Sequence, residues 1–153
     1  MNNPASPDLQ ERLQALPGVT QLSHHNGAWW ASGPELDVAA MADLMHAMGI
    51  RMGTITAVAL GPQGETRVLY HWLAAAQFVN FETVTRGGAL PSLAASVRAA
   101  AWAEREIHDL FGVTFIGHPN PAPLLKPDGL ETGLLRQALC GPAVLARSPT
   151  LGL

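Results

Sequence analysis

The sequence predicts an α+β fold: a single two-layer domain with a small, mainly antiparallel sheet, helices packed on it, and an extended proline-rich C-terminal arm. Three observations carry this. Helical patterns open the chain and recur near residues 34 and 100. Three strand-like runs joined by short links lie between them. Half of the twelve prolines fall from Pro119 onward, where periodic patterning stops. The domain is expected over residues 1–118 and the arm over 119–153.

The first element reads as a helix. Ser6 is a candidate N-cap, Pro7 suits the first helical position, and Asp8 and Glu11 suit the positive end of the helix dipole. Leu9, Leu13 and Leu16 share a face, and Pro17-Gly18 ends the element. Two strands, Val19–Ser23 and Ala28–Ser32, follow around Asn26-Gly27, a tight-turn signal. Ser32-Gly33-Pro34-Glu35 has the spacing of a capping box and predicts a helix to about Met48, buried along Leu36, Ala40, Leu44 and Met48 and stopped by Gly49. Met52–Leu60, Thr66–Leu73 and Gln77–Thr85 read as strands of one meander, with Val68, Tyr70 and Trp72 alternating against Arg67, Leu69 and His71. A helical region is expected from Pro91-Ser92 to Phe111, bent near Ala99 and stopped by Gly112, then a short strand Val113–Ile116. In the arm, at most a helical turn or two is expected near Leu130–Leu139.

A chain of 153 residues buries roughly 70% of its unfolded surface and needs no covalent staples. Charged residues make up 14%, against about 25% in ordinary domains, which fits either a surface partly covered by a partner or simply an alanine-rich composition. Nine cations scattered from Arg12 to Arg147 form no basic patch, which argues against nucleic-acid binding. No apolar run approaches the roughly 20 residues that span a bilayer, and the start, MNNPASPDLQERLQ, lacks a charged-then-apolar signal. Any membrane association is therefore expected to run through another protein. Cys140 is the one cysteine, which excludes an internal disulfide and any iron–sulfur or nickel site built on thiolates of this chain alone.

The most informative stretch runs from Trp102 to Pro119. Ala103, Ile107, Leu110 and Phe111 have helical spacing for burial, and Glu104 with His108 and Arg105 with Asp109 are i,i+4 pairs. The patterns Trp102-Ala103-Glu104-Arg105-Glu106, Asp109-Leu110-Phe111-Gly112 and Phe115-Ile116-Gly117-His118-Pro119 resemble the signature of the 30 kDa family of respiratory complex I (NADH dehydrogenase). Leu90-Pro91-Ser92 resembles the Pro-Ser step that precedes that helix. The resemblance extends over about Leu9 to Pro127. It implies the α+β fold and a place in the hydrophilic arm of an ion-pumping oxidoreductase, against a large subunit resembling the [NiFe]-hydrogenase catalytic chain and beside iron–sulfur subunits. It implies no cofactor in this chain, and a cytoplasmic, peripheral position on the inner face of the cell membrane. Trp102, Glu104, Arg105, Glu106, His108, Asp109, Phe111, Gly112, His118 and Pro119 are the expected partner-interface residues. One departure stands out: after His118-Pro119 the Asp-Leu-Arg-Arg-like run of the respiratory form is replaced by Asn120-Pro121-Ala122-Pro123-Leu124-Leu125. This is closer to the related subunit of energy-converting hydrogenases and formate hydrogenlyase-type complexes.

A different class of function, a stand-alone enzyme, would use Glu104, Glu106, His108 and Asp109 as an acid–base or metal cluster. No second histidine or cysteine has helical spacing to complete such a site. The ordinary reading is an ion-paired helix that orients a contact. His24-His25 reads as surface polarity, His46 as half-exposed, His71 as structural, and His118 as a turn cap or a bond across a partner interface. Gly87-Gly88 lacks the context of a phosphate loop.

Overall fold

The computed structural model describes residues 7–60, 65–74, 77–85 and 88–135. Helix α1 spans Pro7–Gln14, strands β1 Gln21–His25 and β2 Ala28–Ser32, helix α2 Val38–Ala47, strands β3 Arg51–Ala59, β4 Thr66–Ala74, β5 Gln77–Thr85 and β6 Ala89–Pro91, helix α3 Ala100–Phe111 and strand β7 Thr114–Ile116. Five strands form one sheet in the order β1-β2-β5-β4-β3, and β6 and β7 form a separate two-stranded parallel pair. All neighbours in the large sheet are antiparallel except β2 and β5. The expected β3-β4-β5 meander is present. The parallel joint arises because α2 and the meander carry the chain away and return its third strand beside β2.

Alternation builds the core as expected. Val68, Tyr70 and Trp72 on β4, and Val79 and Phe81 on β5, face inward and are inaccessible to solvent. Leu9 and Leu13 of α1, Met41 and Met45 of α2, and Ala103 and Ile107 of α3 belong to the same buried cluster. The helices thus cover one face of the sheet. The other face carries exposed Val58, Leu73 and Phe78 and a polar chain across three strands. In it His71 bridges Thr56 Oγ1 (2.8 Å) and Asn80 Oδ1 (2.8 Å), the structural role expected for this histidine.

Two expected boundaries move. The capping box at Ser32–Glu35 does not cap α2. Ser32 is the last ladder residue of β2, opposite Glu82, and the cap is Asp37, whose carboxylate accepts from the amides of Ala39 (3.1 Å) and Ala40 (3.0 Å). Starting there turns Val38, Met41, Ala42 and Met45 inward, so the expected stripe through Ala40, Leu44 and Met48 lies at the margin of the core. The chain cannot turn earlier because the loops at residues 18 and 33 cross in contact. A Cβ on Gly33 would lie 1.7 Å from the Gly18 carbonyl oxygen. The second correction is at Pro91-Ser92, which ends β6 rather than starting a helix. Residues 92–99 form turns, and α3 begins only at Ala100. Proline lacks the amide a central ladder needs but tolerates a strand end, which is where Pro91 sits, opposite Ile116. The expected N-cap Ser6, Cys140 and the arm after Leu135 lie outside the described residues.

Candidate functional site: a helix that grips the arm

Helix α3 ends where expected. Gly112 adopts the left-handed conformation (φ 70°, ψ 20°) and donates its amide to the His108 carbonyl. The chain then returns through β7, pinned to β6, and reaches the N-terminal end of α3 at His118. From there the arm runs back along the helix.

Three residues at i, i+4 and i+8 hold it. His118 Nε2 donates to the carbonyl of Ala101 (3.0 Å), and its Nδ1 accepts from the amide of Asn120 (3.0 Å). Arg105 donates from Nε to the carbonyl of Ala122 (2.7 Å) and from Nη2 to that of Pro123 (2.9 Å). Asp109 Oδ2 accepts from the consecutive amides of Leu124 (2.8 Å), Leu125 (2.8 Å) and Lys126 (3.1 Å). Further on, Gly133 donates its amide to the Asp109 carbonyl (2.9 Å). Residues four apart stack on one side of a helix, so the stripe Ala101, Arg105, Asp109 forms a rail for an extended chain. Ala122 donates its amide to the Asn120 side chain (3.3 Å). Every non-proline amide between Pro119 and Pro127 therefore has an acceptor, and prolines occupy the positions that need none.

Glu104 faces the other way and is fully enclosed. Its carboxylate accepts from Ser92 Oγ (2.5 Å) and the Leu93 amide (2.7 Å), with His118 Nε2 at 3.8 Å. Burial pushes its pKa above the ordinary value, against the opposing pull of Ser92, Leu93 and His118. The charge of Glu104 adds to the burial that raises Tyr70, whose buried hydroxyl has no hydrogen-bond partner among the described residues. Asp109 behaves oppositely: burial alone would raise it, but the three arm amides, helped by His108, hold it below the usual carboxylate range.

The expected interface residues therefore divide. Glu104, Arg105, His108, Asp109 and His118 direct their polar atoms to the chain's own backbone and side chains. The expected i,i+4 pairs are replaced: Arg105 reaches arm carbonyls, and His108 Nδ1 donates to the Val113 carbonyl (2.9 Å). Gly112 shapes the turn, and Phe111 packs half-buried against the core. Trp102 (71% exposed), Glu106 and Pro119 face solvent. Ile116, Leu125, Leu130, Leu134 and Leu135 are exposed as well. Sequence reasoning missed Ser92 as the anchor of Glu104 and missed the grip on the arm. The alternation Pro119, Pro121, Pro123 was the available signal. The acid–base cluster does not form, because Glu104 and Asp109 point to opposite sides of α3. Among the described residues no group of three or more His, Cys, Asp or Glu side chains is placed to hold a metal ion. A cleft of about 50 Å³ beside Glu104, Arg105 and His118 is far below the roughly 300–1,000 Å³ of small-molecule sites.

Fold and site together define a class: a two-layer α+β domain whose last helix fastens a proline-rich arm. Two solved structures share the fold. One is the trypsin-resistant fragment (1-134) of Nqo5, with a TM-score of 0.60 and 24% identity over 74% of this chain and 96% of that one. The other is a chain of the membrane-bound sulfane sulfur reductase, an archaeal respiratory membrane complex, with a TM-score of 0.63 and 22% identity over 80% of this chain and 76% of that one. The profile of the family described as "Respiratory-chain NADH dehydrogenase, 30 Kd subunit" matches residues 34–139, more than half of the chain, and the chain belongs to that family. It is also similar to NAD(P)H-quinone oxidoreductase subunit J of Synechococcus sp. (strain CC9902), 33% identical over 94 residues, which cover 50% of this chain and 49% of that protein. The match thus spans about half the length of that relative. Members of the family are subunits of multisubunit respiratory complexes, so the family implies partner subunits. Among the described residues no helix is long and apolar enough to cross a membrane.

Proposed function

We propose that the chain is a non-catalytic assembly subunit of a membrane-associated, complex I-like oxidoreductase. It packs against the hydrogenase-like large subunit, near the iron–sulfur subunits, and lies at the inner face of the cell membrane through those partners. One observation carries this reading: α3 holds the arm through the arm's backbone, which leaves its outward leucine side chains free. Leu125, Leu130, Leu134 and Leu135 project outward next to a helix whose Trp102 is also exposed. Aromatic and aliphatic side chains grouped this way supply the buried centre of a protein interface. Enclosed Glu104 and Asp109 position that surface from within. Exposed Glu106 belongs to its rim, where charge sets register more than affinity.

The run Asn120-Pro121-Ala122-Pro123 favours a second reading within the same class, the equivalent subunit of an energy-converting [NiFe] hydrogenase or formate hydrogenlyase-type complex. The test for both is co-expression of the full chain with each type of large subunit. Leu125→Asp with Leu130→Asp is expected to leave the melting temperature of the isolated chain unchanged. Co-purification with the true partner is expected to fall at least ~10-fold, the effect of losing about 1.4 kcal/mol. Undiminished co-purification of the double variant refutes the arm surface. Failure of both large subunits to bind the wild-type chain refutes the function.

A further inference from the structure

The arm closes a loop against the C-terminal half of α3. Both ends of that loop are tied to one residue. The amide of Lys126 donates to the Asp109 carboxylate (3.1 Å), and the amide of Gly133 donates to the Asp109 carbonyl (2.9 Å). Inside the loop, Lys126 Nζ donates to the Leu130 carbonyl. Leu125, Leu130, Leu134 and Leu135, on and beside the loop, are 38–55% exposed. Backbone anchors at both ends thus hold a group of leucines in place without burying them.

The charge around that group has one sign. Asp128 and Glu131 lie within the loop, and Glu106 sits one turn before Asp109, at a neighbouring position on the helix surface. All three are exposed, and among the described residues none has an ion pair. The two cations of α3 and the described arm are turned to backbone: Arg105 donates to the carbonyls of Ala122 and Pro123, and Lys126 to that of Leu130. Arg98, exposed as well, precedes the other end of the helix. The surface is therefore an apolar centre with an acidic rim. A second copy of this chain fits it badly, because an isologous contact sets the same carboxylates face to face. An anionic lipid surface is repelled for the same reason.

We infer that this loop docks on an apolar patch of the large subunit bordered by lysine or arginine, with Glu106, Asp128 and Glu131 setting the speed and orientation of docking. The leucines supply the burial, and the carboxylates steer the encounter. This rests on the docking reading above and names the chemistry of the surface that meets the arm.

The experiment measures the association rate of the full-length chain with the large subunit at ~20 and ~500 mM salt, a span from weak to strong screening. The wild-type rate is expected to fall at least ~10-fold as salt rises. Glu106→Lys, Asp128→Lys and Glu131→Lys together are expected to slow association at low salt at least ~10-fold and to reverse the slope, so that salt speeds it. Glu106→Gln, Asp128→Asn and Glu131→Gln, which keep size and polarity, are expected to flatten the slope and serve where charge reversal costs the fold. A control with Glu11→Lys, Glu35→Lys and Asp43→Lys, at exposed positions outside α3 and the arm, has the same net charge as the first variant and is expected to slow association less. A control that slows it as much overturns the local rim. A wild-type rate that ignores salt or rises with it overturns the basic border and leaves the docking reading standing, and so does an unaltered slope in both rim variants. Absence of binding by the wild-type chain at either salt removes the docking reading itself. Dimerisation of the free chain between ~1 and ~100 µM, lost in Leu125→Asp with Leu130→Asp, overturns the proposal in favour of a second copy.

Discussion

Replacing Asp109 with alanine tests the rail directly. One carboxylate oxygen takes three amide hydrogen bonds of 2.8 to 3.1 Å from Leu124, Leu125 and Lys126. A hydrogen bond to a charged group contributes about 1.5–3 kcal/mol net. Three bonds that share one charge do not add, and the buried Oδ1 has no partner among the described residues, so its removal gives something back. Roughly 3 kcal/mol is the expected loss. Freed amides in an arm that can swing outward find water, so the loss shows as local opening rather than global unfolding. At about 1.4 kcal/mol per tenfold, exchange of these three amides is expected to accelerate on the order of 100-fold. Those of Asn120 and Ala122, held by His118 and by Asn120 itself, should change little, and so should the melting temperature. Hydrogen exchange followed by NMR reads all five amides in one spectrum. Unchanged exchange at residues 124–126 refutes the grip, and unfolding of the whole domain shows that Asp109 belongs to the core. The sign with pH is fixed: the folded-state pKa of Asp109 is depressed, so its contribution is complete above the unfolded carboxylate value and is lost as pH falls through the folded value. The arm should loosen only in acid.

Two further predictions concern α3. Because the folded pKa of Glu104 is raised, the native state binds more protons than the unfolded chain between the two values, and its stability falls as pH rises through that window. Glu104→Gln is expected to abolish that fall, so the variant's melting temperature gains on the wild type's as pH climbs above the usual carboxylate range. A difference that is flat with pH refutes the assignment. Gly112→Val places a β-branched residue at φ 70° and should cost about 1–2 kcal/mol, read as a lower midpoint in urea. An unchanged midpoint means the helix end can rearrange.

How much the sequence disclosed depended on what each element answers to. β4 and β5 were legible because one face is buried, so burial imposes period two on their side chains. α1 was legible from its leucines. α2 was misplaced because a capping box is a local signal, and Ser32 had a stronger tertiary partner in the β5 ladder. β6 was missed because three residues ending in proline carry no periodicity, and only pairing with β7 makes them a strand. The charges of α3 were visible and their spacing was read correctly, yet their partners were not. Neighbours at i,i+4 are the only ones a sequence displays, whereas Arg105 and Asp109 bind backbone atoms about 15 residues further on.

That last difference explains how the arm can depart from the family's basic run and still be held. Arg105 and Asp109 read carbonyls and amides, which any non-proline residue supplies, so the side chains at 122 and 124–126 are free to vary. What the rail cannot tolerate is an amide without an acceptor or a chain that fails to extend. Proline removes the amide at 119, 121, 123 and 127 and fixes φ there, and it also narrows the unfolded arm's conformations, which lowers the entropy lost on docking. A basic pair at these positions would add charge without adding grip, because Arg105 already occupies the carbonyl side of the rail. The constraint falls on prolines and backbone geometry, and selection for a partner can act on the outward leucines without disturbing it.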